Sequence, residues 1–402
     1  MGFQQGLSGL GAASQNLDVI GNNVANSSTV GFKQGVAAFS DVYASSLGAG
    51  GGADVGIGVQ VSGVSDQFTQ GNITTTSNPL DLAINGKGFF RMSDNGAISY
   101  TRNGQFQLDK NGYLVGATGQ NLTGFQALNG TIVPGVLVNL QLSSTDVLPK
   151  ASANAVVGVN LSPTSATLPV SGLVATDPTT YDYSTSTTAY DSLGQSHTLT
   201  YYFNKEAAAN TWSASTYIDG NATTGGASTL TFKTNGAYAA SNNLTQTAMF
   251  SNGAAPLSLA MDYSQMMQTG ATFGVNALST DGYASGQLSG YNIGADGTIV
   301  GDYSNGQTQK LGQVALSNFV NPQGLAPQGG NLYTETSASG APLTGAPGSA
   351  SLGALQSSAQ EDSNVDLTAE LVNMITAQRD YQASAQTIKT QNTVMQTLIN
   401  MA

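Results

Sequence analysis

The chain has no cysteine, one histidine, one tryptophan and only 8% charged residues across 402 positions, where a soluble protein carries about 25%. Without cysteine there is no disulfide, no thiolate metal site and no cysteine nucleophile. Basic residues are equally sparse. Eleven Lys and Arg are scattered singly against 23 Asp and Glu, for a net charge of −12. That leaves no basic stripe for phosphates and no polybasic cluster for anionic lipid, so neither nucleic acid nor a membrane surface is an expected partner. No apolar run is long enough to span a bilayer, so no membrane insertion is expected. The N-terminus has no basic region before an apolar stretch, and Asp18 is its only charge before Lys33. A chain of this kind that leaves the cell is expected to do so without a cleaved signal peptide. Met1-Gly2 does not open a myristoylation motif, because position 6 is Gly.

What is present is glycine, 50 residues of it, with Asn, Gln, Ser and Thr supplying most of the polarity. Two terminal segments stand apart from this turn-rich background. Phe3, Leu7, Leu10, Ser14, Leu17, Gly21 and Val24 fall at alternating steps of four and three. Leu367, Leu371, Met374, Gln378, Tyr381, Ala385, Ile388, Asn392, Met395 and Ile399 repeat that step. Such spacing aligns side chains on one seam of a helix, the pattern by which helices pack together. The polar breaks at Ser14, Gly21, Gln378 and Asn392 suit seams that fix register. Apolar residues beside the seams, among them Ile20, Ile375, Val394 and Leu398, widen each face toward further neighbours. The expectation is that these helices are completed by other copies of the chain.

Between the helices the pattern is β. Asp94-Asn95-Gly96, Arg102-Asn103-Gly104, Asp109-Lys110-Asn111-Gly112, Asn235-Gly236, Asp281-Gly282 and Asp296-Gly297 sit between alternating apolar runs. Asn-Gly and Asp-Gly favour tight turns because both residues accept positive φ. Phe106–Gly116 aligns without a gap on Tyr291–Gly301, and Leu230–Tyr238 is a looser copy. The two close copies define one domain in two halves, with the stretch between them inserted. The fold class is therefore multidomain and mainly β, with two β-rich domains nested between terminal helices that form a coiled-coil-type domain. The expected parts are a helical domain from 1–30 and 365–402, and an extended connector from 31–70 and 355–364. They continue with a β-domain from 71–144 and 285–354, and an inserted outer β-domain over 145–284. The glycine run at Gly48 to Gly52 marks the middle of the connector.

Chemistry finds little support. His197 lies on an alternating strand beside Ser196 and near Asp191, with no nucleophile elbow anywhere in the chain. Each Asp-rich turn offers one carboxylate where a calcium loop needs several and a bidentate Glu. No catalytic residue, cofactor or metal is expected.

Leu17-Asp18-Val19-Ile20-Gly21-Asn22-Asn23-Val24-Ala25-Asn26, followed by Thr29-Val30-Gly31-Phe32-Lys33, resembles the signature of the bacterial flagellar rod and hook axial proteins. Leu80 to Phe90, Tyr100 to Phe106, Asn364 to Leu371, and Gln378-Arg379-Asp380-Tyr381-Gln382 resemble further motifs of the same family. The motif residues singled out are Asn22, Asn23, Ala25, Asn26, Gly31, Phe32 and Lys33. Rod members share them in a shorter chain; the length and middle insertion here are similar to the hook members. The resemblance implies a subunit exported through the flagellar type III apparatus and polymerised beneath a cap into a curved tube outside the cell. There it transmits motor torque from rod to filament. It implies as partners other copies of itself, the hook cap, distal rod and hook–filament junction proteins, the export gate and the hook-length control protein. Phe39 and Tyr43 match the family's export-gate motif. Spirochaete members are cross-linked through a cysteine, a chemistry this chain lacks. Two other readings stay open on these residues: a distal rod or other axial protein, and a secreted β-rich adhesin or glycan-binding protein.

Overall fold

The computed structural model describes residues 2–42, 56, 58–128, 130–142, 146–168, 172–242 and 244–401. Its polypeptide forms two compact units. One holds Met1–Ser143, Gly290–Gly301 and Thr308–Ala402; the other holds Ser144–Ser289 and Asp302–Gln307.

The first unit begins and ends in helix, α1 over Gly2–Ala25 and α2 over Leu367–Met401. No proline interrupts either segment. Asp366 caps α2, its Oδ1 accepting from Thr368 N at 2.8 Å and Ala369 N at 3.1 Å, which satisfies two of the amides that a helix start leaves open. After α1 come β1, Gly35–Val42, and β2, Gly58–Asp66, paired antiparallel. This ribbon differs from the extended connector expected over 31–70. Val61 stands opposite Phe39 and Val64 opposite Ala37, so both strands have partners, and the ribbon is tied to α1 by Ser8 Oγ, which accepts from Val59 N at 3.3 Å. The glycine run at 48–52 lies outside the described residues.

The body of this unit is antiparallel sheet. Phe89–Asp94 and Ala97–Thr101 form a hairpin whose turn places Asn95 and Gly96 at φ 49° and 97°, the positive values that an Asn-Gly turn allows. Leu82, Ile84, Phe90, Leu114, Leu122, Val314 and Leu316 fill one core; Phe89, Tyr100, Phe319 and Tyr333 form an aromatic satellite. Two short pairings lead back to the helices. Leu82–Asn85 pairs with Ala354–Ser357, and Ile73–Thr75 with Ala359–Glu361.

The second unit is a β-sandwich. Tyr183–Tyr190, Ser196–Lys205, Thr211–Ile218, Ser228–Phe232 and Tyr238–Ser241 make an antiparallel sheet in that order. Asn154–Leu161 is the centre of the other, flanked by Leu257–Asp262 and Gly274–Thr280. Alternate residues of both sheets, including Val157, Val159, Leu199, Phe203, Trp212 and Leu259, meet in one core. The repeats seen in the sequence are turns of this kind. Asp109, Asn235 and Asp296 each accept a backbone N–H two residues ahead, and the following Gly112, Gly236 and Gly297 all have positive φ.

Candidate assembly interface

Helices α1 and α2 pack antiparallel, largely away from the seams read from the sequence. On α1 the buried face carries Gly6, Ala12, Ala13, Ile20 and Asn23. A Cβ at Gly6 would stand 2.9 Å from Ile388 Cγ1, and one at Gly9 3.1 Å from Ser384 Oγ. The missing side chains let α2 approach. On α2 the matching face is Glu370, Ala377, Ser384, Ile388 and Gln391, spaced mainly by sevens.

The predicted seams lie largely outside this contact. Phe3 and Leu7 are exposed by 47% and 55%, while Leu10, Leu17 and Val24 are half-buried. Along α2, Leu367, Leu371, Tyr381, Met395 and Ile399 are exposed, with Val372, Ile375 and Val394 beside them. Only Met374, Ala385 and Ile388 of that seam are half-buried. Within the chain the two helices meet mainly through small residues, because Gly6 and Gly9 permit a closer approach than leucines would. A row of large apolar side chains is left exposed among the described residues.

The family-type motif residues do a different task at the base of the helices. Asn23 pairs through both side-chain amide atoms with Gly35, donating to its O at 2.8 Å and accepting from its N at 2.9 Å. Asn22 Oδ1 accepts from Asn26 Nδ2 at 2.8 Å; Ala25 is exposed and Phe32 half-buried. Asn364 accepts from Gln34 N and donates to Gln67 O and Thr69 Oγ1, all within 2.8 Å. Gly31, at φ 72°, has no room for a Cβ, which would fall 2.5 Å from Asn103 N.

Next to it lies a buried ion cluster. Lys33 Nζ is 2.6 Å from Glu361 Oε1, and Arg102 Nη1 is 3.1 Å from Glu361 Oε2, all three side chains being within 3% of full burial. Lys33 also donates to Thr69 O, Arg102 to Gly86 O, and Gly71 N to the same Glu361 carboxylate. Burial pulls the pKa of Lys33 and of Arg102 down, and Glu361 opposes the pull in each case. Paired and hydrogen-bonded in this way, the charges tie three segments that are distant in sequence. Sequence reading singled out Lys33 but missed Glu361. The available signal was two lone cations inside motifs, in a chain so poor in charge.

Phe39 is exposed on β1, and Tyr43 lies outside the described residues. His197 is buried and satisfied, its Nδ1 2.6 Å from Asp219 Oδ2, its Nε2 3.4 Å from Asp191 Oδ2, and its ring stacked on Phe250. Among the described residues no group of His, Asp and Glu is arranged to hold a metal ion, and no helix is long and apolar enough to cross a membrane.

Four family models match the chain in succession: flagella basal body rod protein over residues 3–33, flagellar hook protein FlgE/F/G D1 domain over 83–154, flagellar basal body protein FlaE D2 domain over 160–283, and flagellar basal body rod FlgEFG protein C-terminal over 356–401. The flagellar hook protein FlgE of Escherichia coli K12 is 43% identical over 412 residues, and that of Salmonella typhimurium LT2 is 42% identical over 411. Both alignments cover all of each chain. The crystal structure of the Helicobacter pylori flagellar hook protein FlgE2 shares the fold at 16% identity, with a TM-score of 0.53 over 70% of this chain and 99% of that one. With terminal helices around nested β-units, the motif residues locked at their base and two full-length relatives above 40% identity, the chain belongs to the flagellar hook protein family.

Proposed function

We propose that this hook subunit polymerises by burying the exposed apolar row of α2, together with Phe3 and Leu7, against neighbouring copies. The observation that carries the reading is that row. Each large apolar side chain taken out of water contributes about 1.5–3 kcal/mol, and a contiguous exposed patch on a folded chain marks an interaction surface. The surface of the subunit is poor in charge, so contacts between copies have few ion pairs to break as a bent tube turns. On this reading the subunit crosses the flagellar type III export gate unfolded and adds beneath the hook cap outside the cell. The curved tube joins the distal rod to the hook–filament junction proteins, a length-control protein sets its extent, and it acts as a universal joint. Phe39 lies on β1 in the folded subunit, so on this reading its export-gate contact is made before that strand forms. The subunit's role is mechanical and calls for no cofactor.

Leu371→Asp tests the reading. Leu371 is 45% exposed and outside the α1–α2 contact, so the secreted monomer keeps its fold while sedimentation and electron microscopy find no tubes. Normal tubes from this variant would defeat the proposal.

A further inference from the structure

Glu370 lies in the first turn of α2 and is 2% exposed. Its Oε1 accepts from Gln34 Nε2. Its Oε2 is buried and has no hydrogen-bond partner among the described residues. The side chain lines a cavity of about 200 Å³ with Asn16, Asn373, Thr376 and Asp380. That is room for several waters at about 30 Å³ each. The wall holds two carboxylates and no Lys or Arg, and the Thr376 hydroxyl proton is committed to Val372 O. A buried carboxylate oxygen left open calls for a donor, and for a cation above all.

The helices carry only two basic residues, Arg379 and Lys389. Both are exposed, and neither enters an ion pair among the described residues. Arg379 is nine positions from Glu370, so at about 100° per residue it points from the opposite side of α2. It cannot turn back to its own cavity. A guanidinium has five donors and no acceptor, in a planar fork that fits carboxylates. We propose that the Glu370 cavity of one copy receives the Arg379 guanidinium of the next. The inference rests on the polymerisation reading above and gives it a direction. Donor and acceptor lie on opposite sides of one helix, so the contact is head-to-tail and extends as an open row rather than closing into a pair.

Arg379→Gln and Glu370→Gln are each expected to raise the critical concentration for polymerisation about tenfold, and the double variant no further, because each single change already removes the pair. Lys389→Gln serves as the control and leaves it unchanged. A double variant raised about a hundredfold would show two independent losses and overturn the pairing. A second measurement keeps both charges. The chain has no cysteine, so Asn373→Cys with Gln382→Cys introduces the only thiols, on opposite faces and roughly 14 Å apart along the helix. A bismaleimide too short for that span is expected to yield a ladder of covalent oligomers in the polymer and none in the monomer. Tubes without a ladder would overturn the inference and leave the polymerisation reading standing. If the Gln variants lose helix as monomers, the ladder alone decides.

Discussion

In the second unit Trp212, Tyr201, Phe203 and Leu259 are fully buried, whereas along α2 Leu371, Ile375 and Ile399 are 45%, 52% and 70% exposed. The two regions draw on the same kinds of side chain and dispose of them in opposite ways. The sandwich closes its core with its own two sheets. The helix pair spends its closest contact on glycine, alanine and serine, and keeps its large apolar groups outward. A region that completes itself is expected to lose stability when its core is cut. One completed by its neighbours is expected to lose assembly instead. Substitutions can break or sharpen that contrast.

The largest expected effect is at the ion cluster, where Glu361→Ala leaves Lys33 and Arg102 buried without their anion. It should cost about 3–5 kcal/mol in urea unfolding of the secreted monomer; a loss under about 1 kcal/mol would remove the cluster from its place as clamp. Trp212→Ala follows, at about 3–5 kcal/mol. Its Nε1 donates to Gln268 Oε1 at 3.1 Å inside the core of the second unit, and its loss is expected to leave the far-UV helix signal intact. Alkaline pH probes the closed interior of the first unit next. Burial, and then the neighbouring Glu335, push Tyr100 from 10.0 to about 12. The folded state therefore holds a proton that the unfolded chain releases, so stability is present below pH 10 and falls as pH rises toward 12. Tyr100→Phe should flatten that decline in urea midpoints. Gly6→Ala comes next. Its new Cβ presses on Ile388, offsetting the gain in helix propensity, for a net loss of about 1 kcal/mol in the helix pair that Ile388→Ala in the same chain relieves. The smallest change in monomer stability, within about 0.5 kcal/mol, belongs to Leu371→Asp, the variant expected to abolish tubes. If that variant unfolds the monomer, the contrast between the regions fails.

Much of the architecture was legible because it rests on local rules. Steps of four and three give α1 and α2, and Asp-Gly and Asn-Gly turns give the hairpins at 94–96, 109–112, 235–236 and 296–297. The packed face of the helices was not legible. A stripe of Gly6, Gly9 and Ala13 registers as neither apolar nor polar, and its value is the absence of side chain, which only a partner's Ile388 and Ser384 make meaningful. Glu361 was hidden for another reason. Positions 33, 102 and 361 meet through strand pairings that bring 73–85 against 354–361, and no periodicity spans such gaps. The ribbon β1–β2 was read as connector because its glycines outweighed the valines that pair it.

The Glu361 cluster has one more consequence, for chain integrity. It draws its cations from positions 33 and 102 and its anion from position 361. A chain cut short before residue 361 would bring two buried cations to the site with nothing to neutralise them, and would lack α2 as well. Such a fragment is expected to lose stability in the first unit even before the loss of α2 is counted. The cluster thereby makes an intact C-terminal segment a condition for closing the base of the first unit.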